Sequence, residues 1–155
     1  ASSSADSNRE VGRNEDVKPR LNMAKKEKKP RILIVEDDPD VMQAYCALLE
    51  RNGYEVITAN YALPALFSVI RKPPDLILAD LDMPQMNGLE LIDQFKGHHD
   101  TRDIPIVVVT GSDARENRDA AFKAGCAGYI TKPVDPRSFL EQIGEFLRRP
   151  DRKEA

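Results

Sequence analysis

Tryptophan is absent from the 155-residue chain, and aromatic residues make up only 6% of it. Few platforms are available for stacking bases, which disfavours a single-strand nucleic-acid binder. There are two cysteines, Cys46 and Cys126, far apart and without CxxC spacing. Neither a disulfide framework nor a zinc site is expected; both read as small buried hydrophobes, and a reducing, cytoplasmic setting fits. No apolar run approaches the ~18 residues of a membrane span. The N-terminus has no apolar h-region, so no secretory signal is expected. An excess of basic charge is missing too: 32% of residues are charged and the formal net charge is −3. That excludes a generally basic nucleic-acid binder, though not a local patch. What is present is 41% apolar residues, enough at this length for one domain with a real core.

The charge is unevenly placed. Residues 1–29 hold 8 Lys+Arg and 5 Asp+Glu, with no hydrophobic period. Their few apolar groups cannot offset the entropy of ordering, so a disordered polar and basic extension is expected. Its Lys25, Lys26, Lys28, Lys29 run could touch an acidic surface, but a solvated leader is the simpler account. Met23 is a candidate natural start, which would make residues 1–22 either an added leader or the product of an alternative start. Residues 30–149 hold 13 Lys+Arg against 19 Asp+Glu and form the expected folded domain. Pro150 opens a short polar tail over 150–155.

Within the domain, strand-length apolar runs alternate with helical periods. The runs are Ile32 to Val35, Val56-Ile57, Leu76 to Leu78, Ile104 to Val109 and a weaker one around Tyr129-Ile130. The first, third and fourth are almost continuously apolar, as expected of strands covered on both faces. Helical stripes read Val41, Tyr45, Leu48, Leu49; then Leu63, Leu66, Phe67, Ile70; then Leu91, Ile92, Phe95; and finally Phe139, Leu140, Ile143, Phe146, Leu147. The stretch 113–124 is weakest, and its helix is expected to be marginal and movable. Asp38-Pro39 and Asp135-Pro136 place a capping carboxylate before a helix-opening proline. Asn87 with Glu90 resembles a capping box, Ser112 suits an N-cap, and Gly53, Gly97 and Gly125 suit helix C-termini. Such alternation implies an α/β fold with a parallel sheet and right-handed crossovers, whose ligands bind beyond the carboxyl ends of the strands.

Polar residues collect at those ends. The first strand runs into Glu36-Asp37-Asp38, the third into Asp80-Leu81-Asp82, the fourth into Thr110 and the fifth into Lys132. Carboxylate loops meeting at one edge repel each other, and a hard divalent cation removes the conflict; Mg²⁺ suits it. An ammonium and a hydroxyl nearby add what a phosphoryl group needs. Asp80 is then a carboxylate nucleophile able to carry a phosphoryl group as an acyl phosphate.

These residues are ordered and spaced in a specific way: Asp80 lies 43 positions after Asp37, Thr110 a further 30, and Lys132 a further 22. Together with Asp-x-x-Met-Pro-x-x-x-Gly from Asp80 to Gly88 and Gly-Tyr-Ile-Thr-Lys-Pro from 128 to 133, they resemble the response-regulator receiver domains of two-component signalling, in particular the single-domain chemotaxis type. The likeness covers about Arg31 to Arg149. It implies a doubly wound, flavodoxin-like five-stranded parallel sheet in the order 2-1-3-4-5 with helices on both faces. It implies Asp80 as phosphoacceptor. Asp37, Asp80 and the backbone carbonyl of Asp82 are implied as Mg²⁺ ligands, with Glu36 acting through water. Lys132 is implied to pair with the phosphoryl group, Thr110 to move to it, and Tyr129 to swing inward behind Thr110. A cis Lys132-Pro133 bond is also implied. The implied partners are a sensor histidine kinase or histidine phosphotransfer protein and a downstream effector, with no direct nucleic-acid or membrane contact and room for a phosphorylation-dependent dimer. The protein would be a switch with self-phosphorylation and slow autodephosphorylation only, not a turnover enzyme.

Each residue has a plainer account. Asp38 reads as a helix cap more readily than as a ligand. Tyr129 could be a static strand residue, and His98 and His99 fall in a solvated loop. Gly111 after Thr110, where alanine is commoner in the family, should widen access to Asp80, and Asp82 could orient a hydrolytic water. Asn60 to Ala65 lacks the usual glycine, leaving Tyr61 and Pro64 to give that surface its own preferences. The natural output face combines the 113–124 helix, strand five and the last helix. Arg115, Arg118 and Lys123 are contact candidates there, and a solvated charged face accounts for them equally well. Three other functions compete. Haloacid-dehalogenase-type phosphatases share Asp-x-Asp, but their nucleophile ends the first strand and their acidic pair follows the lysine. A receiver fold could serve as a phosphate-independent docking module. The chain could also be a receiver cut from a longer regulator or hybrid kinase, with Pro150 opening a linker.

Overall fold

The computed structural model describes residues 28–81, 88–111 and 114–148, with the backbone alone for Ala62 and Leu63. The expected leader, apart from Lys28 and Lys29, and the 150–155 tail lie outside the described residues. So do Asp82, Asn87 and Ser112. Five strand–helix units follow one another: β1 Arg31–Val35, α1 Pro39–Arg51, β2 Glu55–Ala59, α2 Ala62–Arg71, β3 Leu76–Ala79, α3 Gly88–Gly97, β4 Ile106–Thr110, α4 Arg115–Ala124, β5 Gly128–Thr131 and α5 Pro136–Arg148. The strands form one parallel sheet in the order β2-β1-β3-β4-β5, as expected.

The central strands are buried on both sides, which explains their unbroken apolar runs. Ile32 and Ile34 of β1 face a core built with Tyr45 and Leu49 of α1 and Phe139 and Ile143 of α5. Leu33 and Val35, the alternate residues, face a second core with Ala65 and Val69 of α2, Leu91, Ile92 and Phe95 of α3, and Ala121 of α4. Strand β4 divides in the same way, Val107 and Val109 to the first core and Ile106 and Val108 to the second.

The caps form where the sequence places them at two helices. Asp38 accepts from the backbone N–H of Asp40 at 2.9 Å and of Val41 at 3.4 Å, with Pro39 opening α1. Asp135 accepts from Ser138 N–H at 3.0 Å at the start of α5. Gly53 and Gly125 follow α1 and α4 with φ of +92° and +119°, a region that glycine enters without penalty.

Two expectations change. Strand β4 begins at Ile106 rather than Ile104: the Ile104 N–H closes a turn onto Thr101 instead, and Pro105 has no N–H to give a ladder. The face of α2 is also rotated. Ala65 and Val69 are buried, whereas Phe67 and Ile70 are 61% and 63% exposed; the Leu63 side chain lies outside the described residues. Because α2 is apolar nearly all round, its period admits more than one inward face. The structure turns small side chains to the sheet, which lets the helix lie close to β1 and β2.

Candidate active site at the sheet's carboxyl edge

The chain runs from β1 through α1 out to β2, then back through α2 to β3 on the other side of β1. The crossovers therefore diverge between β1 and β3, the kind of crevice where doubly wound sheets bind ligands. Glu36 and Asp37 leave β1 there, and Asp80 leaves β3. Register aligns the ends: Val35 pairs with Ala79, and Thr110 with Thr131. Backbone hydrogen bonds carry the alignment one residue further, from Asp80 N–H to Val35 C=O at 3.2 Å and from Lys132 N–H to Thr110 C=O at 2.8 Å.

Four predicted side chains meet in consequence. Carboxylate oxygens of Glu36, Asp37 and Asp80 all lie within 4.8 Å of one another, with Glu36 and Asp80 buried and Asp37 exposed. Lys132 reaches in from the end of β5. Its Nζ donates to Glu36 Oε1 at 3.0 Å and to Asp80 Oδ2 at 3.4 Å. The other oxygen of Glu36 accepts from Asp38 N–H at 3.2 Å. Burial pushes the Glu36 carboxyl above the ordinary glutamate range, against the lowering effects of Lys132 and the Asp38 N–H. Burial alone would lower Lys132, but its hydrogen bond to Glu36 and the charges of Asp80 and Glu36 outweigh it and raise the ammonium's pKa. Three carboxylates facing one ammonium leave an excess of negative charge on hard oxygen donors, a set that suits a divalent cation.

Thr110 is fully buried at the end of β4, on the same edge. Tyr129 lies in β5 with its side chain in the core beneath α3 and α4, only 8% exposed. The Lys132-Pro133 bond is cis, as the resemblance implied. Asp38 is the α1 cap rather than a member of the carboxylate cluster. The Asp82 carbonyl lies outside the described residues. A Cβ on Gly111 would meet open space.

Two features were not read from the sequence. The ion pair between Glu36 and Lys132 spans 96 positions, and only the folded sheet reveals it. Gly88 belongs to the motif quoted above, and its task is steric. A Cβ there would stand 2.5 Å from Leu81 Cα and 2.7 Å from the Asp80 carbonyl oxygen. The Gly88 N–H donates to Leu81 C=O at 2.8 Å, so α3 starts directly against the end of β3.

Comparison with known proteins agrees with this geometry. The family model for the response regulator receiver domain matches residues 32–144. The chain belongs to the response regulator receiver domain family. A CheY-like receiver domain protein from Methanospirillum hungatei superposes with a TM-score of 0.74 at 35% identity, covering 82% of this chain and 98% of that chain. The polar-differentiation response regulator DivK of Brucella ovis is 34% identical over 116 residues, which is 75% of this chain and 94% of DivK. The phosphate regulon transcriptional regulatory protein PhoB of Escherichia coli is 35% identical over 119 residues, 77% of this chain. The receiver spans about half the length of PhoB, 52%. Receiver domains are switches of two-component signalling, working between kinases and downstream effectors rather than as turnover enzymes. Among the described residues no helix is long and apolar enough to cross a membrane.

Proposed function

We propose that this receiver is a phosphorylation-activated switch in which Asp80 accepts a phosphoryl group from phosphohistidine on a sensor kinase or phosphotransfer protein. The observation that carries this is Lys132 held between Glu36 and Asp80 beside Asp37, at the crevice between β1 and β3. An Asp80 carboxylate oxygen attacks phosphorus; the new P–O bond forms as the P–N bond breaks, and that electron pair returns to the imidazole. The Lys132 ammonium faces the charge that accumulates on the phosphoryl oxygens, and the Thr110 hydroxyl supplies a donor from the next strand end. Asp37 and Asp80, with the Asp82 carbonyl, are the residues that would hold Mg²⁺, and Glu36 would act through water. Mg²⁺ when bound neutralises charge on the transferring oxygens.

The acyl phosphate adds charge at an edge where Thr110 and Lys132 are linked through the backbone. Their adjustment, followed by Tyr129, shifts the population of the face made by α4, β5 and α5 toward an effector-binding form.

Intact-mass measurement after incubation with Mg²⁺ and acetyl phosphate tests the chemistry. One phosphoryl gain in the parent and none in Asp80→Asn is expected. No gain in the parent would overturn the proposal and leave a phosphate-independent docking module. Many turnovers of a small phosphate ester would instead mark a phosphatase.

A further inference from the structure

Helix α4 buries little of its own surface. Ala121 is its one buried residue, and its N-cap, Ala114, provides no side-chain hydrogen bond to the first turn. Its sequence nonetheless places a long cation over the edge of β5. The guanidinium carbon of Arg118 lies 5.3 Å from the centroid of the Tyr129 ring and 6.0 Å from that of Phe122. Phe122 sits one turn further along the same helix and is 43% exposed, while Tyr129 comes from the sheet and is largely buried. Both distances are within the range where a cation is attracted to the face of an aromatic ring. The neighbouring Arg115 is directed elsewhere, to Asp119 at 4.0 Å.

We propose that Arg118 is a positioning residue for the switch: its guanidinium closes over the Tyr129 ring, keeps it packed on the sheet and ties the ring's place to helix α4. The inference rests on the proposed function only in taking Tyr129 as the switch side chain; the hold on the ring exists without any phosphoryl group. Two consequences follow from the geometry. The contact favours the ring's buried place, so a move of Tyr129 loses the Arg118 contact unless Arg118 follows it. Because Arg118 rides on a helix with a single buried residue, loss of the contact removes one of the ties between α4 and β5. Phe122 shares the same guanidinium and keeps Arg118 lying back over the rings rather than extended into water.

The test uses the full chain labelled with 3-fluorotyrosine. Fluorine NMR resolves the ring environments, and Tyr129→Phe identifies the Tyr129 resonance. The parent is compared with Arg118→Met, which keeps an unbranched apolar stem and loses the cation, and Arg118→Lys, which keeps the cation. A lone partly exposed cation–ring contact corresponds to about a two- to fivefold change in the buried-to-exposed ratio. Arg118→Met is expected to lower that ratio by this factor, seen as a larger solvent-isotope shift of the Tyr129 resonance, and Arg118→Lys to restore part of it. A Tyr129 resonance unchanged in Arg118→Met would overturn the proposal. So would equal displacement in the Met and Lys variants, which would assign the hold to packing alone. The same samples are exposed to acetyl phosphate and weighed. A parent that takes no phosphoryl group defeats the proposed function but leaves the ring measurement standing.

Discussion

Lys132→Met keeps most of the length of the side chain and removes its charge, which tests the electrostatics of the carboxylate pocket. At an effective dielectric constant of 20, the 3.0 Å and 3.4 Å contacts each represent about 5 kcal/mol of gross attraction. Desolvation offsets much of this. Removing one partner of a buried pair costs about 3–5 kcal/mol, and the lower figure applies because the Lys132 side chain is 24% exposed. For a domain of this size that corresponds to a fall in Tm of roughly 10 °C. The deficit should depend on pH. Glu36 is already raised by burial, and losing the Lys132 hydrogen bond raises it further. A carboxyl whose folded pKa is raised favours the fold while protonated, and that stability is lost as pH rises through the folded value. Lys132 itself is raised, so in the parent its contribution persists up to the lysine range. The difference between parent and variant is therefore largest at pH 8 and shrinks toward pH 5. Urea denaturation followed by circular dichroism, without divalent cations, measures both points. An equal deficit at pH 5 and pH 8 would refute the electrostatic account and leave only lost packing.

Gly88→Ala forces backbone apart at the start of α3 and should cost about 1–3 kcal/mol as overpacking does, with slower phosphorylation of Asp80; a thermal melt matching the parent's would contradict the close approach. Val69→Ala should cost about 2 kcal/mol, whereas Phe67→Ser should stay within about 0.5 kcal/mol, so urea midpoints for the two variants check which face of α2 turns inward. The Cys126 thiol is pushed up to about 11 by burial, so iodoacetamide at pH 8 should modify the native protein at half-buried Cys46 well before Cys126, as peptide mass mapping would show.

Much of this architecture is legible from local chemistry because the decisive residues announce themselves by type and spacing. The runs at 32–35, 76–78 and 106–109 can be continuously apolar only if both sheet faces are covered, and they are. Asp38 and Asp135 sit before prolines where a cap is needed. The acidic loops had to meet because parallel strands end at a common edge. Helix α2 was not legible in the same way. With apolar residues on nearly all sides, the contrast that marks an inward face is missing, and the preference for small Ala65 and Val69 against the sheet arises only in packing. Arg118 was equally hidden. A charged residue on a polar helix reads as solvated until the sheet brings Tyr129 beneath it.

The pocket draws on stretches separated by as many as 96 positions, from Glu36 to Lys132. No partial chain that stops before its fifth strand contains the ammonium that balances those acids. On a translating ribosome the balanced pocket therefore arises late, after every strand of the sheet has been made. Helix α5 follows the lysine, and its Phe139 and Ile143 then close the core that Ile32 and Ile34 open.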